Sequence, residues 1–279
     1  MLDIARNTIE IGLEKPIKVL HVTDSHVPLS DERDSAALQA IAAHKGPRQK
    51  EFMANLDEEI AYAEANCDLI VHTGDLIDFA SRANIEYAAK VLKNEKILYI
   101  AGNHEYYHGR GHEDNFYRLN SYQTMRLDEL GVNLFFTSCV VGGVNFVGVD
   151  DAFHQVEQWQ VDKLQREVEK GLPVILFAHA PLFEQGLFEK SVEYWKDGSA
   201  YLVGCDEAHI ENYPEYLAVS QRPTEATRRF VDYVNGEKRI KAVLAGHVHF
   251  NYESRLPGGV MQYVTGRGHN GVVREITLL

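Results

Sequence analysis

The sequence predicts an α/β fold in which short buried strands alternate with amphipathic helices. Short apolar runs recur along the chain, and each one passes directly into Asp, Asn or His. Such runs are typical of buried strands, and in open α/β sheets ligands bind at the carboxyl ends of the strands. Five runs share this pattern: 17–23, 69–72, 97–101, 174–178 and 242–245. We therefore expect polar side chains of a binding site at the strand exits.

Helices are predicted from apolar residues at helical spacing. Phe52, Leu56 and Ile60 recur at every fourth position within 48–66, among acidic and basic residues. Further helices are predicted at 83–93, 119–130, 156–170 and after Pro223. Further strands are predicted at 2–13, 132–136, 139–141, 144–149, 250–256, 260–264 and 272–279, with Gly142 and Gly143 turning a hairpin.

Three segments lack a regular pattern. Residues 27–47 contain proline and glycine, which predicts an irregular connection. Residues 106–112 are polar and punctuated by glycine, which predicts an exposed loop. Residues 181–222 mix aromatic, acidic and glycine residues without a clean period, and we expect a cap-like insertion that folds over the site. No repeat or linker interrupts the chain, so we expect 1–279 to form a single domain.

Composition and charge narrow the functional classes. The chain has 28 Lys and Arg against 41 Asp and Glu, and its formal net charge of −13 repels polyanions. Nucleic acid is therefore disfavoured as a partner, whereas a small phosphate substrate is compatible if metal ions make its site locally positive. Cys67, Cys139 and Cys205 form no disulfide framework and no zinc-type spacing. No signal peptide or membrane helix is visible, so we expect a cytoplasmic protein with no membrane partner.

The polar residues at the strand exits are suited to binding metal. They offer carboxylate oxygen, amide oxygen and imidazole nitrogen without thiolate, which suits Mn²⁺, Fe²⁺ or Fe³⁺, or Zn²⁺. Seven ligands are too many for one tetrahedral ion and suit two divalent ions that share a bridge. Two ions ~3.5–4 Å apart can bind a phosphoryl group and supply hydroxide between them. The seven are Asp24, His26, Asp75, Asn103, His179, His247 and His249.

These residues belong to five motifs in a fixed order. The motifs are Asp24-x-His26, Gly74-Asp75-x-x-Asp78, Gly102-Asn103-His104-Glu105, His179 and Gly246-His247-x-His249. Any one of them is weak, but five in order, each after an apolar run, are specific. The series resembles that of the calcineurin-like metallophosphoesterases. The resemblance implies a four-layer αββα sandwich of two mixed β-sheets flanked by helices.

The resemblance also implies a role for each motif residue. One ion would be held by Asp24, His26 and His249, the other by Asn103, His179 and His247, with Asp75 bridging both. His104 is similar to the family's non-ligand histidine, which stabilises the phosphoryl group or protonates the leaving oxygen. Asp78 is similar to the carboxylate that orients this histidine. A metal-bridging hydroxide would attack phosphorus in line, with Asn103 and His104 contacting the substrate.

Several neighbouring residues have weaker assignments. Arg110 is a candidate substrate contact because it closely follows His104, and a solvated loop residue is the alternative. Asp78 has a helix N-cap as its alternative role. Glu105 is expected only to cap a turn. The other eight histidines are expected to be packing or surface residues: His21, His44, His72, His108, His112, His154, His209 and His269. Substrate contact is the weaker alternative for His108, His112, His154 and His269, and likewise for Asp150 and Asp151.

The sequence differs at two motif positions from related families of phosphatases, and these differences narrow the expected substrate class. Phe79 follows Asp78 where phosphoprotein phosphatases carry Arg, and Asp78 is not the Tyr ligand of purple acid phosphatases. Residues 149–182 resemble the bacterial cyclic-nucleotide phosphodiesterase and phosphatase-like branch. We expect a phosphohydrolase for a small phosphomonoester or phosphodiester, with nucleotides among the candidates. The alternatives are a nuclease, disfavoured by the acidic charge, and an inactive protein-binding scaffold, disfavoured by the intact motifs.

Overall fold

Two mixed β-sheets pack face to face between layers of helices in the computed structural model, which describes residues 1–109 and 115–279. The described strands are β1 (Asp3–Ile9), β2 (Ile17–Val22), β3 (Leu69–His72), β4 (Ile97–Tyr99), β5 (Phe136–Val141), β6 (Val144–Val149), β7 (Val174–Phe177), β8 (Ile240–Ala245), β9 (Tyr252–Arg255), β10 (Met261–Val264) and β11 (Val272–Leu278). The described helices are α1 (Ala36–Asn66), α2 (Arg82–Val91), α3 (Asn103–Tyr106), α4 (Asn115–Thr124), α5 (Gln158–Glu169), α6 (Gln185–Trp195), α7 (Glu207–Ile210), α8 (Glu215–Gln221) and α9 (Glu225–Gly236). Of these helices, none combines the length and the apolar character needed to cross a membrane.

The carboxyl ends of the parallel strands in both sheets lie on the same side of the structure. The first sheet has the order β1-β11-β2-β3-β4, and the second has β5-β6-β7-β8-β10-β9. Within the first sheet β2, β3 and β4 are parallel, and within the second β6, β7, β8 and β10 are parallel. Side chains that follow β2, β3, β4, β7 and β8 meet one another, so the carboxyl ends of both parallel sets point to the same edge.

Apolar side chains fill the space between the sheets and beneath the helices. Val71 from the first sheet and Phe177 from the second belong to the central cluster, and burying each such side chain contributes ~1.5–3 kcal/mol. Leu164 of α5 and Phe230 of α9 pack on the outer face of the second sheet. Leu56 of α1 packs in the helical layer of the first sheet. The predicted four-layer αββα sandwich of two mixed sheets is thus confirmed.

The prediction of an irregular connection at 27–47 is wrong for residues 36–47, which form the first turns of α1. Ser35 caps this helix, because its Oγ accepts a hydrogen bond from Leu38 N. The helix then runs through Gly46 and Pro47. Proline has a helical φ and lacks one N–H, so it is compatible with a helix whose packing compensates for the lost bond. Phe52, buried one turn further on, anchors this part of α1.

Two other irregular segments are more ordered than the sequence indicates. The segment 181–222 contains α6, α7 and α8. A clear period needs 11–18 residues, and α7 and α8 are shorter than this, while α6 with 11 residues only reaches the lower limit. In the 106–112 segment, Tyr106 is fully buried and its Oη donates to Asp150 Oδ2, so the prediction of an exposed loop is wrong at this residue. Arg110 and His112 lie outside the described residues.

We predict that Gly46→Ala stabilises the protein by ~0.5–1 kcal/mol. Gly46 lies inside α1, and a Cβ added there would have no heavy atom within 4 Å. Alanine would restrict the unfolded chain without a steric cost in the helix. The free energy of unfolding in urea measures this effect, and Gly246→Ala is the contrasting variant because its Cβ would lie 1.9 Å from Thr23 Oγ1. If Gly46→Ala were less stable than the wild type, this would contradict the finding that α1 continues through residue 46.

Candidate metal centre

Tight turns at the strand ends bring the motif side chains together. The chain leaves β2, β3 and β8 through residues with a left-handed backbone, a conformation that non-glycine residues adopt mainly where the surrounding structure enforces it. Five of the seven predicted ligands have this conformation, with φ between 46° and 66°: Asp24, His26, Asp75, His247 and His249. Backbone bonds hold the turns, including Asp24 N to Gly74 O at 3.0 Å and Gly246 N to His179 O at 2.9 Å.

The first group of donor atoms consists of Asp24, His26 and His249. His249 Nε2 lies 3.2 Å from Asp24 Oδ1 and 3.1 Å from His26 Nε2. His26 Nε2 lies 3.6 Å from Asp24 Oδ1. Asp24 Oδ1 is buried and has no hydrogen-bond partner among the described residues. These three atoms, which come from both sheets, therefore form a small triangle of possible metal ligands.

The second group consists of Asp75, His179, Asn103 and His247. Its atoms surround His179 Nε2, with Asp75 Oδ2 at 3.3 Å, Asn103 Oδ1 at 3.2 Å and His247 Nδ1 at 3.0 Å. Asp75 Oδ2 also lies 3.6 Å from His26 Nε2, so one carboxylate oxygen lies beside both groups. All seven predicted metal ligands are thus brought together.

The spacing of these atoms suits a metal ion in each group. Ligands bound ~2.1 Å from one ion at tetrahedral angles lie ~3.4 Å apart. The observed separations in the two groups run from 3.0 to 3.6 Å. Oxygen and neutral imidazole donors are chemically appropriate for Mn²⁺, Fe or Zn²⁺. The residues present therefore fit two divalent ions.

Burial and close charges shift the pKa values of the site in opposite directions. Burial alone would lower the pKa of His26, but Asp24 and Asp78 raise it to about 10. In the same way Asp75 overcomes the effect of burial and raises the pKa of His179 to about 10. Burial would raise the pKa of Asp75, but His179 and the neighbouring histidines hold it below its usual range. The carboxylates are thus compensated by protonated imidazoles when no cation is bound.

His104 is positioned by a main-chain group. Its Nδ1 lies 2.7 Å from the Asp78 carbonyl, while the Asp78 carboxylate lies 3.6 Å away. That carboxylate is closer to two other groups, His26 Nδ1 at 3.2 Å and Lys45 Nζ at 2.5 Å. His104 also lies beside His26 and Asp75. The ligand atoms of these three residues are close enough together to hold a metal ion, so they form a third possible metal-binding group.

Glu105 caps α3 as expected, and it also fixes the backbone after β3, a role that the sequence analysis missed. Its buried carboxylate accepts hydrogen bonds from Asp75 N at 2.8 Å, Ile77 N at 3.2 Å and Gly102 N at 2.7 Å. Burial and then the charge of Asp75 raise the pKa of Glu105 to about 7. Gly102 has to be a glycine here, because a Cβ would lie 2.2 Å from Asp75 Oδ1.

Three further residues contact the site in ways that were not predicted. Asp151 Oδ1 accepts from His179 N at 2.9 Å, and His154 Nε2 lies 3.0 Å from His247 Nε2. Lys45 reaches the site from α1, a segment in which no helix was expected. The Gly-Asn-His-Glu motif is a sequence signal for Glu105, whereas His154 and Lys45 lie outside every motif.

The 181–222 segment lies against the two groups. The Trp195 ring is 5.4 Å from the His249 ring, and the Tyr201 ring is 5.9 Å from the His247 ring. Its apolar side chains pack with Val248 and Val264 beside the last motif. These contacts agree with the expected position of this segment over the site. Its status as an insertion into a single domain stays a prediction.

Comparison with known proteins gives a consistent result. A family model described as calcineurin-like phosphoesterase matches residues 17–251. An uncharacterized metallophosphoesterase of Helicobacter pylori (strain ATCC 700392 / 26695) is 30% identical over 177 residues, which cover 61% of this chain and 40% of the relative. A Psychrobacter arcticus protein named "Probable cyclic nucleotide phosphodiesterase" is 33% identical over 108 residues, covering 37% of this chain and 36% of the relative. The match thus spans about two fifths of the length of these curated relatives.

A solved structure supports the same architecture. A dimetal phosphatase from Danio rerio is similar over 94% of this chain and 92% of that chain, with a TM-score of 0.54 and 11% sequence identity. At this identity the similarity establishes the fold alone.

We predict that Glu105→Gln lowers the free energy of unfolding by ~1–3 kcal/mol. The amide group would turn a donor toward backbone N–H groups, so at least one buried N–H would lose its acceptor. Urea denaturation of the metal-free protein measures the loss. The matched control is Glu95→Gln at an exposed position, which should change stability by less than ~0.5 kcal/mol. Equal stability of the two variants would contradict the role of Glu105.

Proposed function

The chain belongs to the calcineurin-like phosphoesterase family, and we propose that it is a binuclear metal-dependent phosphohydrolase that cleaves a small phosphomonoester or phosphodiester. The attacking group is derived from water, in line with the leaving oxygen. No cysteine or serine nucleophile is required for this reaction. The activity is a proposal for the whole protein, because its curated relatives match over only part of their length.

The observation that carries this proposal is the position of Asp75 Oδ2 between two groups of donors. This oxygen lies 3.3 Å from His179 Nε2 and 3.6 Å from His26 Nε2. A single carboxylate that faces both groups supports a pair of ions rather than one. When bound, two divalent ions lower the pKa of water and offset the negative charge of the phosphoryl oxygens.

We assign the ligands by group. Asp24, His26 and His249 would hold the first ion, Asn103, His179 and His247 the second, and Asp75 would contact both. His179 Nδ1 donates to Thr73 O at 2.7 Å, which leaves Nε2 available as a ligand atom. The identity of the ions remains to be measured, since nitrogen and oxygen ligands accept Mn²⁺, Fe and Zn²⁺ alike.

His104 would exchange a proton with the substrate through Nε2. Its Nδ1 donates to the Asp78 carbonyl, so this nitrogen is not available to the substrate. Burial lowers the pKa of His104, so the ring protonated on both nitrogens would be a stronger acid towards the leaving oxygen. The side chain is 31% exposed and can be reached by a bound phosphoester. Asn103 would contact the substrate beside it.

The contacts of Asp78 support a revised role for this residue. Because its carboxylate is nearer to His26 than to His104, we assign it to the orientation of His26, and its carbonyl to the orientation of His104. Lys45 compensates the buried carboxylate with a side chain that is 38% exposed. Arg110 stays a candidate substrate contact on the basis of its sequence position alone.

We propose nucleotides as the first substrate class to test. The net charge of −13 favours small substrates over polyanions. The Psychrobacter arcticus relative is named for cyclic nucleotides, and aromatic side chains of the 181–222 segment lie beside the histidines of both groups.

Hydrolysis of p-nitrophenyl phosphate and of bis(p-nitrophenyl) phosphate tests the proposal. With Mn²⁺ added, at least one ester should turn over, and a chelator should abolish the reaction. Preference for the diester would direct the search to cyclic nucleotides, and preference for the monoester to small phosphorylated metabolites. Metal-loaded protein that hydrolyses neither these esters nor a panel of nucleotides would contradict the proposal.

We predict that Asp75→Asn loses metal and activity together. The amide removes the charge that both ions share, so turnover should fall by more than ~100-fold and the metal content should drop. Metal analysis after gel filtration provides the second measurement. Asp57→Asn, on the exposed side of α1, is the control and should retain both properties. Full metal occupancy in Asp75→Asn would contradict the proposal that both ions share the Asp75 carboxylate.

We predict that His104→Ala retains both ions and loses most of the rate. Removal of a general acid or of a phosphoryl contact typically lowers turnover by ~10²–10⁴-fold. The same metal analysis distinguishes this role from ligation, which is a real alternative because His104 lies within metal-binding distance of His26 and Asp75. Loss of one ion in this variant would assign His104 as a ligand.

A further inference from the structure

His154 lies in the metal centre although it belongs to none of the motifs. The side chain is 1% exposed, and its Nε2 lies 3.0 Å from His247 Nε2. Its backbone N donates to Asp151 O at 2.7 Å, and the Asp151 carboxylate in turn accepts from His179 N. His154 is therefore tied to both histidines of the second group.

The backbone of His154 resembles that of the proposed ligands. Its φ is +63°, in the left-handed region that five of the ligands also occupy. Two further non-glycine residues with positive φ, Arg126 and Lys196, lie at helix ends. The remaining one in the described part of the chain is Tyr201, whose ring packs on both His154 and His247. A strained backbone at His154 indicates that the position of this ring is enforced.

The proton positions around His247 determine what His154 can do. A neutral imidazole carries a proton on one nitrogen only. His247 Nδ1 faces His179 Nε2 at 3.0 Å, and His247 Nε2 faces His154. If Nδ1 carried the proton, this nitrogen could not bind a cation beside His179. If Nε2 carries it, the lone pairs of His179 and His247 face the same point.

We propose that His154 is a positioning residue of the metal centre, whose Nε2 accepts the Nε2–H of His247 and so directs the lone pair of His247 Nδ1 to the second ion. This inference rests on the proposed function, because it requires a cation beside His179. A metal-binding histidine usually donates its other N–H to an acceptor that fixes its tautomer. Here the acceptor is a second imidazole instead of a carboxylate or a carbonyl.

Calorimetric titration of the metal-free protein with Zn²⁺ tests this inference without relying on activity. The wild-type protein should bind two ions. His154→Leu fills the space but offers no hydrogen-bond acceptor. This variant should bind the second ion ~10–100-fold more weakly and should bind the first ion with unchanged affinity. His154→Gln places an amide oxygen near the position of Nε2, and it should restore the affinity to within a few-fold of the wild-type value. His44→Leu, at an exposed position of α1, is the control.

Three outcomes would overturn the inference. Unchanged zinc affinity in His154→Leu would leave His154 without a role at the ion. Equal loss in His154→Leu and His154→Gln would indicate direct ligation or simple packing. Long-range ¹H–¹⁵N correlation of the zinc-loaded wild-type protein should show a proton on His247 Nε2, and the opposite tautomer would overturn the inference even if the variants do not fold.

The same experiment separates this inference from the proposed function. Wild-type protein that binds two zinc ions and shows the expected tautomer, but hydrolyses no phosphoester, would contradict the proposed function alone. Normal hydrolysis with no effect of His154→Leu on zinc binding would contradict the inference alone. Wild-type protein that binds no zinc would overturn both.

Discussion

The rest of the structure depends on the compensation of three carboxylates that are buried where the two sheets meet. Asp24, Asp75 and Asp78 are at most 2% exposed, and a buried carboxylate is stable only beside positive or hydrogen-bonding partners. Asp24 and Asp78 raise the pKa of His26, and Asp75 raises the pKa of His179, which favours protonated imidazoles as the partners of these carboxylates. Metal ions can take the place of these protons, so metal binding is coupled to the release of protons. This exchange explains why so many imidazoles surround so few carboxylates.

Hydrogen bonds hold the backbone of the site in its turns. Each left-handed non-glycine residue costs ~1–3 kcal/mol, and the hydrogen bonds around it offset that cost. His26 N bonds to Asp75 O, His247 N bonds to Asp24 Oδ2, and three N–H groups converge on Glu105. A backbone held in this way presents the proposed ligand atoms at metal-like spacing.

The buried strands and the motif residues at their carboxyl ends could be predicted from the sequence, because an apolar run followed by polar residues is a local pattern. It did not predict α1 through Pro47, since the packing that maintains this helix comes from distant residues. It also missed Lys45 and His154, whose roles arise from contacts with Asp78 and with His247 far along the chain. Such contacts exist only in the folded chain. The ligand assignments themselves stay predictions until metal binding is measured.

The position of β11 has a consequence for folding. This strand, from residues 272–278, lies between β1 and β2, and the preceding turn donates Gly268 N to Thr23 O and His269 N to Asp24 O. Without β11, the edge of β2 would be open and could pair with other chains. The turn before β11 also holds the backbone of the first motif at Asp24. Assembly of the metal centre therefore depends on pairing between segments that lie far apart in the chain, and such non-local contacts slow folding.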